Sequence, residues 1–261
     1  MEPLLGSSLF ASLEDADVLV AFDFDGTLAP LVDEPASAAV PPSTRRLLGR
    51  LAHLYPCAVI SGRSEADLSR LLAGITVWYA IGNRFLDSPE TVERRCEQVR
   101  TWVPQVAAQL SGLEGISVED KGAALAIHYR AALDAQKARE AIWRVAEMLG
   151  EARVIPGNRV INLLPWGSAD KGAAVERLSA MLGCKTILYV GDDTTDEDAF
   201  GVGANVIGVR IGESKATRAR YYLHSREEVD ALLERLIGLR ERAARAPERI
   251  AQRRAASGTL V

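Results

Sequence analysis

The run Val18-Leu19-Val20-Ala21-Phe22, followed by Asp23-Phe24-Asp25-Gly26-Thr27-Leu28, restricts this chain more than any other stretch. An unbroken apolar run of this length reads as a central strand of a parallel sheet, covered on both faces. Residues i and i+2 of a strand point to the same side, so Asp23 and Asp25 leave its C-terminal end together. Gly26 lets the backbone turn away. In open α/β sheets, ligands bind outside that edge. Two carboxylates so close repel each other unless a proton is shared or a cation stands between them. Hard oxygen donors point to magnesium. An isolated Asp-x-Asp-Gly is more often a solvated turn, so the rest of the chain must decide.

The rest of the chain repeats the strand-and-helix rhythm. Residues 1–16 show weak helical patterning and read as an N-terminal arm. The proline-rich stretch 29–42 reads as a loop, and a helix fits 43–55 with Ser43 as its N-cap. Cys57–Ile60 is a second apolar strand that ends at Ser61-Gly62-Arg63. Ser64 with Asp67 caps a helix over 64–73, and residues 77–81 form a third strand. This alternation is the doubly wound pattern. It breaks at 84–165. There a helix over 89–111, interrupted or kinked near Pro104, precedes a strand pair (115–120 and 123–130). A helix over 134–150 then precedes a second pair (152–156 and 159–164) with Gly157-Asn158 as its turn. The alternation resumes at 169–182, in a strand at 185–190 that stops at Gly191-Asp192-Asp193-Thr194-Thr195-Asp196, and in strands at 204–210 and 220–223. A helix fits 226–243, and 240–261 reads as a frayed helix and tail. The fold class is therefore α/β: a doubly wound, mainly parallel Rossmann-like core (1–83 and 166–261) with an inserted α+β cap domain (84–165).

Composition removes several function classes. At 261 residues the chain holds one large domain or two, with 48% hydrophobic and 25% charged residues. A formal net charge of −4 supplies no basic field for nucleic acid. Three cysteines, Cys57, Cys96 and Cys184, form no close pair or metal spacing, which suggests a reducing compartment. No stretch approaches a membrane span and no signal pattern opens the chain. A cytoplasmic protein is the expectation.

Strand ends of one parallel sheet converge on one edge. Asp23, Asp25, Ser61, Asp192 and Asp193 all lie at such ends, with Asp196 one turn on and Lys171 opening a helix. Together they offer a carboxylate nucleophile, a second carboxylate, a hydroxyl, a cation and acids for a metal. That inventory fits phosphoryl transfer through an aspartyl-phosphate.

The order Asp-Phe-Asp-Gly-Thr-Leu, Ser-Gly-Arg, Asp-Lys-Gly and Gly-Asp-Asp-Thr-Thr-Asp-Glu-Asp resembles the haloacid dehalogenase superfamily of phosphatases. Within it, Asp23–Pro30, Gly191–Phe200, Val118–Lys121 and Ile127–Arg130 resemble the trehalose-6-phosphate phosphatases. The resemblance implies that Asp23 attacks phosphorus and that Asp25 protonates the leaving oxygen and then activates water. It implies a magnesium ion held by Asp23, Asp192 and the Asp25 backbone carbonyl, with Asp193 or Asp196 in support. Ser61 and Lys171 would grip phosphate, with Gly26, Thr27, Gly62 and Arg63 beside them. Arg63 has two readings, substrate contact or pairing with a core acid. Glu119, Lys121 and Arg130 would face the sugar, and His128 reads as a supporting residue. Glu197 and Asp198 read as helix-capping or dipole-complementing acids.

Two departures bear on the substrate. The family often carries Gly-Asn/Ser-His-Gly where this chain has Gly82-Asn83-Arg84-Phe85, and a cap glutamate where this chain has Asn162. The expected function is a magnesium-dependent sugar-phosphate phosphatase acting on trehalose 6-phosphate. The alternatives are another sugar, glucosyl-conjugate or cyclitol phosphate, and an inactive regulatory module of a synthase. The expected partner is a small phosphorylated sugar, not nucleic acid or membrane. A monomer is expected, with a synthase as the one macromolecular associate considered.

Overall fold

The computed structural model describes residues 1–14, 17–83, 85–157 and 159–257, the side chains of 244–257 excepted. Arg84, Asn158 of the expected hairpin turn and the closing residues 258–261 lie outside this description. Two compact units divide the chain, one formed by Met1–Gly82 with Lys171–Val261 and the other by Asn83–Asp170.

The first unit is built on strands β1 (Glu2–Pro3), β2 (Val18–Phe22), β3 (Cys57–Ile60) and β4 (Tyr79–Ile81), and helices α1 (Leu9–Leu13), α2 (Pro42–Ala52) and α3 (Glu65–Leu71). The second holds α4 (Pro89–Leu110), β5 (Ser117–Asp120), β6 (Leu125–His128), α5 (Ala135–Leu149), β7 (Ala152–Gly157) and β8 (Val160–Pro165). The chain then returns to the first through α6 (Lys171–Leu182), β9 (Thr186–Gly191), α7 (Asp196–Phe200), β10 (Val206–Ile211), β11 (Tyr221–Leu223) and α8 (Glu228–Ser257).

The first unit is a seven-stranded sheet in the order β1-β11-β10-β9-β2-β3-β4, parallel throughout. Every residue of β2 is buried. Val18, Val20 and Phe22 join a core that includes Leu47 and Leu51 of α2 and Leu232 and Leu236 of α8. The alternate residues Leu19 and Ala21 are fully buried as well, so both faces of the strand are covered. The chain runs from β2 outward to β3 and β4, then returns on the other side of β2 through β9 and β10. The order therefore reverses between β2 and β9, and that reversal opens a crevice at the carboxyl ends.

Several local readings change. The N-terminal arm is not merely helical: Glu2 and Leu4 donate their amides to Arg220 and Tyr222 carbonyls at 3.0 and 2.9 Å and add an edge strand. Pro41, not Ser43, precedes α2, and no side chain caps it. Ser64 caps α3 as expected, its hydroxyl accepting from the Asp67 amide at 3.2 Å. Helix α8 runs past the expected 226–243 to Ser257, through most of the stretch read as a frayed helix and tail.

The second unit is a four-stranded antiparallel sheet in the order β5-β6-β8-β7. Val99, Trp102, Val106 and Leu110 of α4 and Ile142, Val145 and Ala146 of α5 pack against Leu125, Ile127, Ile161 and Leu163 of the sheet. Pro104 does not interrupt α4. It is exposed, so the carbonyl that its missing N–H leaves unpaired faces water, and the apolar stripe on the other side holds the helix.

Candidate active site

The register of β2 against β9 places Phe22 beside Val190, and the Asp23 amide donates to the Val190 carbonyl at 2.8 Å. Asp23 therefore emerges level with Gly191-Asp192. Ala21 pairs with Tyr189, so Tyr189, Ala21 and Asp23 share one face. Lys171, the first residue of α6, meets them there. Its ammonium lies 2.9 Å from Asp23 Oδ1 and 2.8 Å from Asp196 Oδ1, and all three residues are buried.

Asp196 is the organiser of this site. Its Oδ1 accepts from Lys171 Nζ and from the Tyr189 hydroxyl, each at 2.8 Å. Its Oδ2 accepts from the Asp192 and Asp193 amides at 2.9 and 3.0 Å. Gly191 is required for this closeness, because a Cβ there would stand 2.2 Å from the Asp196 carboxyl carbon. Asp23, Asp192 and Asp196 each place an oxygen within 4.8 Å of the others, a fitting nest for a divalent cation. Four hydrogen bonds already occupy Asp196, however. These bonds hold the loop in shape, and among the three acids Asp23 and Asp192 keep the less occupied oxygens. Asp193 turns outward and accepts from the Thr195 amide and hydroxyl, each at 2.7 Å.

Burial is the main force on the titrations. It pushes the Asp23 carboxyl well above the usual carboxylate range against the pull of Lys171, and Asp196, Asp193 and Asp192 add to the rise. Burial, then Asp196 and Asp193, push Asp192 up to about 7. Burial pulls the Lys171 ammonium down, but Asp196, Asp23 and Asp193 together hold it above the ordinary lysine value. The site thus carries more negative charge than one lysine neutralises. Its oxygen donors and its unsatisfied charge both fit a hard divalent cation.

Gly26 and Thr27 serve Asp192. Gly26 has φ +80, and a Cβ there would meet Asp192 Oδ2 at 2.2 Å. Thr27, fully buried, donates its hydroxyl to Asp192 Oδ1 at 3.2 Å. Ser61 ends β3, its amide donating to the Ile81 carbonyl at 2.9 Å and its hydroxyl accepting from the Arg63 amide at 3.2 Å. A Cβ on Gly62 would meet nothing within 4 Å, so the space beside that backbone is open.

The two readings of Arg63 separate. Its Nε and Nη2 donate to the two oxygens of Asp25 at 2.7 Å each. Its Nη1 donates to Asp67 at 2.8 Å and to the Pro35 carbonyl at 2.9 Å. Hydrogen bonding to Asp25 raises the guanidinium further above its ordinary value. Such a two-point pair fixes where the Asp25 side chain points in this conformation.

Sequence reasoning missed Tyr189 and Arg210. A tyrosine within the otherwise aliphatic β9 is a readable signal, because a buried phenol needs a partner. Arg210 donates to the Asp193 carbonyl at 3.1 Å and pairs with Glu197 at 3.2 Å. Glu197 also accepts from the Thr217 hydroxyl and the Arg218 amide, so it ties loops together; it is not the N-cap of α7, but with Asp198 it stands in that helix's first turn, where an acid complements the dipole.

In the second unit, Glu119, Ala126, Asn162 and Ile155 form one cross-strand row. Ile127 and Ile161 point into the helix-covered core, so Glu119, Asn162 and His128 share the opposite face. His128 Nε2 lies 2.8 Å from Glu119 Oε2, and Lys121 Nζ is 3.9 Å from the same oxygen. Arg130 follows β6 and is exposed.

A doubly wound core with these acids and a buried lysine on one sheet edge, interrupted by an α+β insert, fits the haloacid dehalogenase superfamily. The trehalose-phosphatase family model matches residues 21–227, and the chain belongs to that family. A trehalose-phosphate phosphatase of Mycolicibacterium paratuberculosis (strain ATCC BAA-968 / K-10) is 35% identical over 245 residues, covering 85% of this chain and 63% of that protein. The chain thus spans under two thirds of that relative's length. The C-terminal domain of a C. albicans trehalose-6-phosphate phosphatase shares the fold with a TM-score of 0.77 at 23% identity, covering 92% of this chain and 99% of that one. An Aspergillus fumigatus trehalose-6-phosphate phosphatase gives a TM-score of 0.66 at 25% identity, covering 91% and 99%. Among the described residues no helix is long and apolar enough to cross a membrane.

Proposed function

We propose that this chain hydrolyses trehalose 6-phosphate to trehalose and phosphate through an aspartyl-phosphate on Asp23, with Mg2+ as its metal. The observation that carries the reading is the Lys171 ammonium bridging Asp23 and Asp196 at 2.9 and 2.8 Å, at the end of the central strand. An Asp23 oxygen attacks phosphorus, and the phosphorus–oxygen bond to the sugar breaks with its electron pair going to the sugar oxygen. Asp25 supplies the proton to that oxygen. Water, deprotonated by Asp25, then attacks the phosphoryl group and returns Asp23. Lys171 and Ser61 hold phosphate oxygens, and Lys171 also offsets charge as the carboxylate meets a dianion.

The metal would be held by Asp23 and Asp192, with Thr27 and Gly26 fixing Asp192 and Asp193 beside it. Bound there, Mg2+ would keep Asp23 ionised and neutralise phosphate charge. The Asp25–Arg63 fork suits the base step. The acid step requires that Asp25 take a proton, which entails release from Arg63. Glu119, Lys121, Arg130 and Asn162 are assigned to the sugar, with His128 orienting Glu119. We further infer that the chain acts in the cytoplasm as a monomer.

The test is phosphate release from a panel of sugar phosphates with and without Mg2+. Trehalose 6-phosphate should be the preferred substrate, EDTA should silence release, and Asp23→Asn should abolish it. Near-normal turnover by Asp23→Asn would remove the mechanism. Preference for a cyclitol or glucosyl-conjugate phosphate would keep the chemistry and change the substrate.

A further inference from the structure

A cleft of about 1000 Å³ opens in the second unit, lined by Tyr129, Arg139, Glu140, Trp143, Arg144 and Arg159 among others. Tyr129 belongs to the core between helices and sheet, and Trp143 packs against that core. The cleft therefore lies on the helix-covered side of the sheet, opposite the face that carries Glu119 and Asn162. It is a different place from the one assigned to the sugar.

Its charge is unusual for this chain. Several arginines elsewhere are neutralised by acids: Arg50 by Glu241, Arg70 by Asp67, Arg100 by Glu93 and Arg210 by Glu197. Among the described residues, no ion pair is found for Arg139, Arg144 or Arg159. The one acid of the cleft, Glu140, accepts instead from the Gln136 side chain at 3.1 Å. Three guanidinium groups thus surround one depression in a protein of net charge −4. A basic run along a helix is ordinarily a solvated face. This one differs because Arg159 comes from another element. Arg159 sits in left-handed backbone, φ 59, and its carbonyl accepts from the Tyr129 amide at 3.0 Å. That bond fixes its backbone at the rim, across from α5. An indole and a phenol line the space between.

We propose that this cleft binds a small molecule joining a flat ring to two or more phosphates, as nucleoside di- and triphosphates do. Guanidinium forks match phosphate oxygens two at a time, and several are needed to hold a polyanion in water. Trp143 and Tyr129 offer flat apolar surface to a ring, with a polar edge for its substituents. The volume admits both parts.

Calorimetry on the whole chain with ATP and, separately, with inorganic pyrophosphate tests this, in EDTA so that core chemistry is silent. ATP should bind saturably and about tenfold more tightly than pyrophosphate. Arg139→Glu with Arg159→Glu should weaken ATP at least tenfold and leave phosphate release from the sugar phosphate within about twofold, whereas Arg139→Lys with Arg159→Lys, which keeps the charge and loses the forks, should weaken ATP by a smaller factor. Trp143→Phe should remove a fluorescence change that ATP produces in the parent chain. No saturable ATP binding, binding untouched by the charge reversal, or pyrophosphate binding as tight as ATP would overturn the proposal. None of these outcomes depends on which sugar phosphate the core hydrolyses.

Discussion

Asp196 takes four hydrogen bonds with no exposure to solvent, and hydrogen bonds to charged groups contribute roughly 1.5–3 kcal/mol each. Its loss would free the loop that carries Asp192 and leave Lys171 buried with one partner fewer, so the residue is structural and electrostatic at once. Arg63 is the more discriminating residue to change. It grips both oxygens of Asp25 and binds Asp67 and the Pro35 carbonyl, so it fixes where Asp25 points. A misdirected general acid and base slows chemistry more than it weakens binding. Arg63→Gln should therefore lower kcat by about 10–100-fold while KM stays within about twofold. Steady-state kinetics on trehalose 6-phosphate checks this. A raised KM with unchanged kcat would mean that Arg63 grips the substrate, the reading that the Asp25 fork disfavours.

At the scale of elements, the open face of the four-stranded sheet sets a second expectation. Glu119 and Asn162 occupy one cross-strand row with Ala126 between them, so two strand spacings, about 10 Å, separate their backbones. His128 holds Glu119 at 2.8 Å, which spares the carboxylate some side-chain freedom on binding. Glu119→Ala should lower kcat/KM for the sugar phosphate by at least about tenfold and leave a small aryl phosphate unaffected, because that substrate has no hydroxyls to bind. Asn162→Glu should sharpen the preference for trehalose 6-phosphate. Equal losses on both substrates for Glu119→Ala would show that it holds the fold. Much of this was legible beforehand. The apolar runs of β2, β3 and β9 and the strand-end acids announced the sheet and its active edge, since a buried parallel strand leaves a dense local signal. The edge strand at Glu2–Pro3 did not, because two residues carry no periodicity and their pairing with β11 is non-local. Pro104 suggested a break that packing overrides, the pairing of Arg63 with Asp25 spans 38 residues, and the bond of Asp196 to Lys171 spans 25.

For the molecule as a whole, the buried acids act as a lever on stability. Asp192 titrates near 7 in the folded chain, and Asp23 is raised too, whereas both fall near 4 once unfolded. Between those values the native state binds more protons than the unfolded state. Stability of the metal-free protein should therefore fall as pH rises from about 4 to 7, and the benefit of protonation is fully present only below the unfolded value. A divalent cation reverses the dependence, because it binds the ionised carboxylates and gains as protons leave. At a concentration about 100-fold above its dissociation constant, it adds about 2.7 kcal/mol. For a unit of this size that is a rise of about 5–10 °C in Tm. The second unit has its own core and none of these acids, so its unfolding should not respond. Calorimetric scans at pH 5 and pH 8, with and without Mg2+, should thus show a transition that Mg2+ lifts more at pH 8. An Asp192→Asn chain should lose the share of the pH slope that Asp192 supplies, leaving that of Asp23, and most of the Mg2+ shift, since the amide neither titrates nor offers a charged oxygen. A Mg2+ shift that is the same at both pH values, or that survives in Asp192→Asn, would place the metal on other groups.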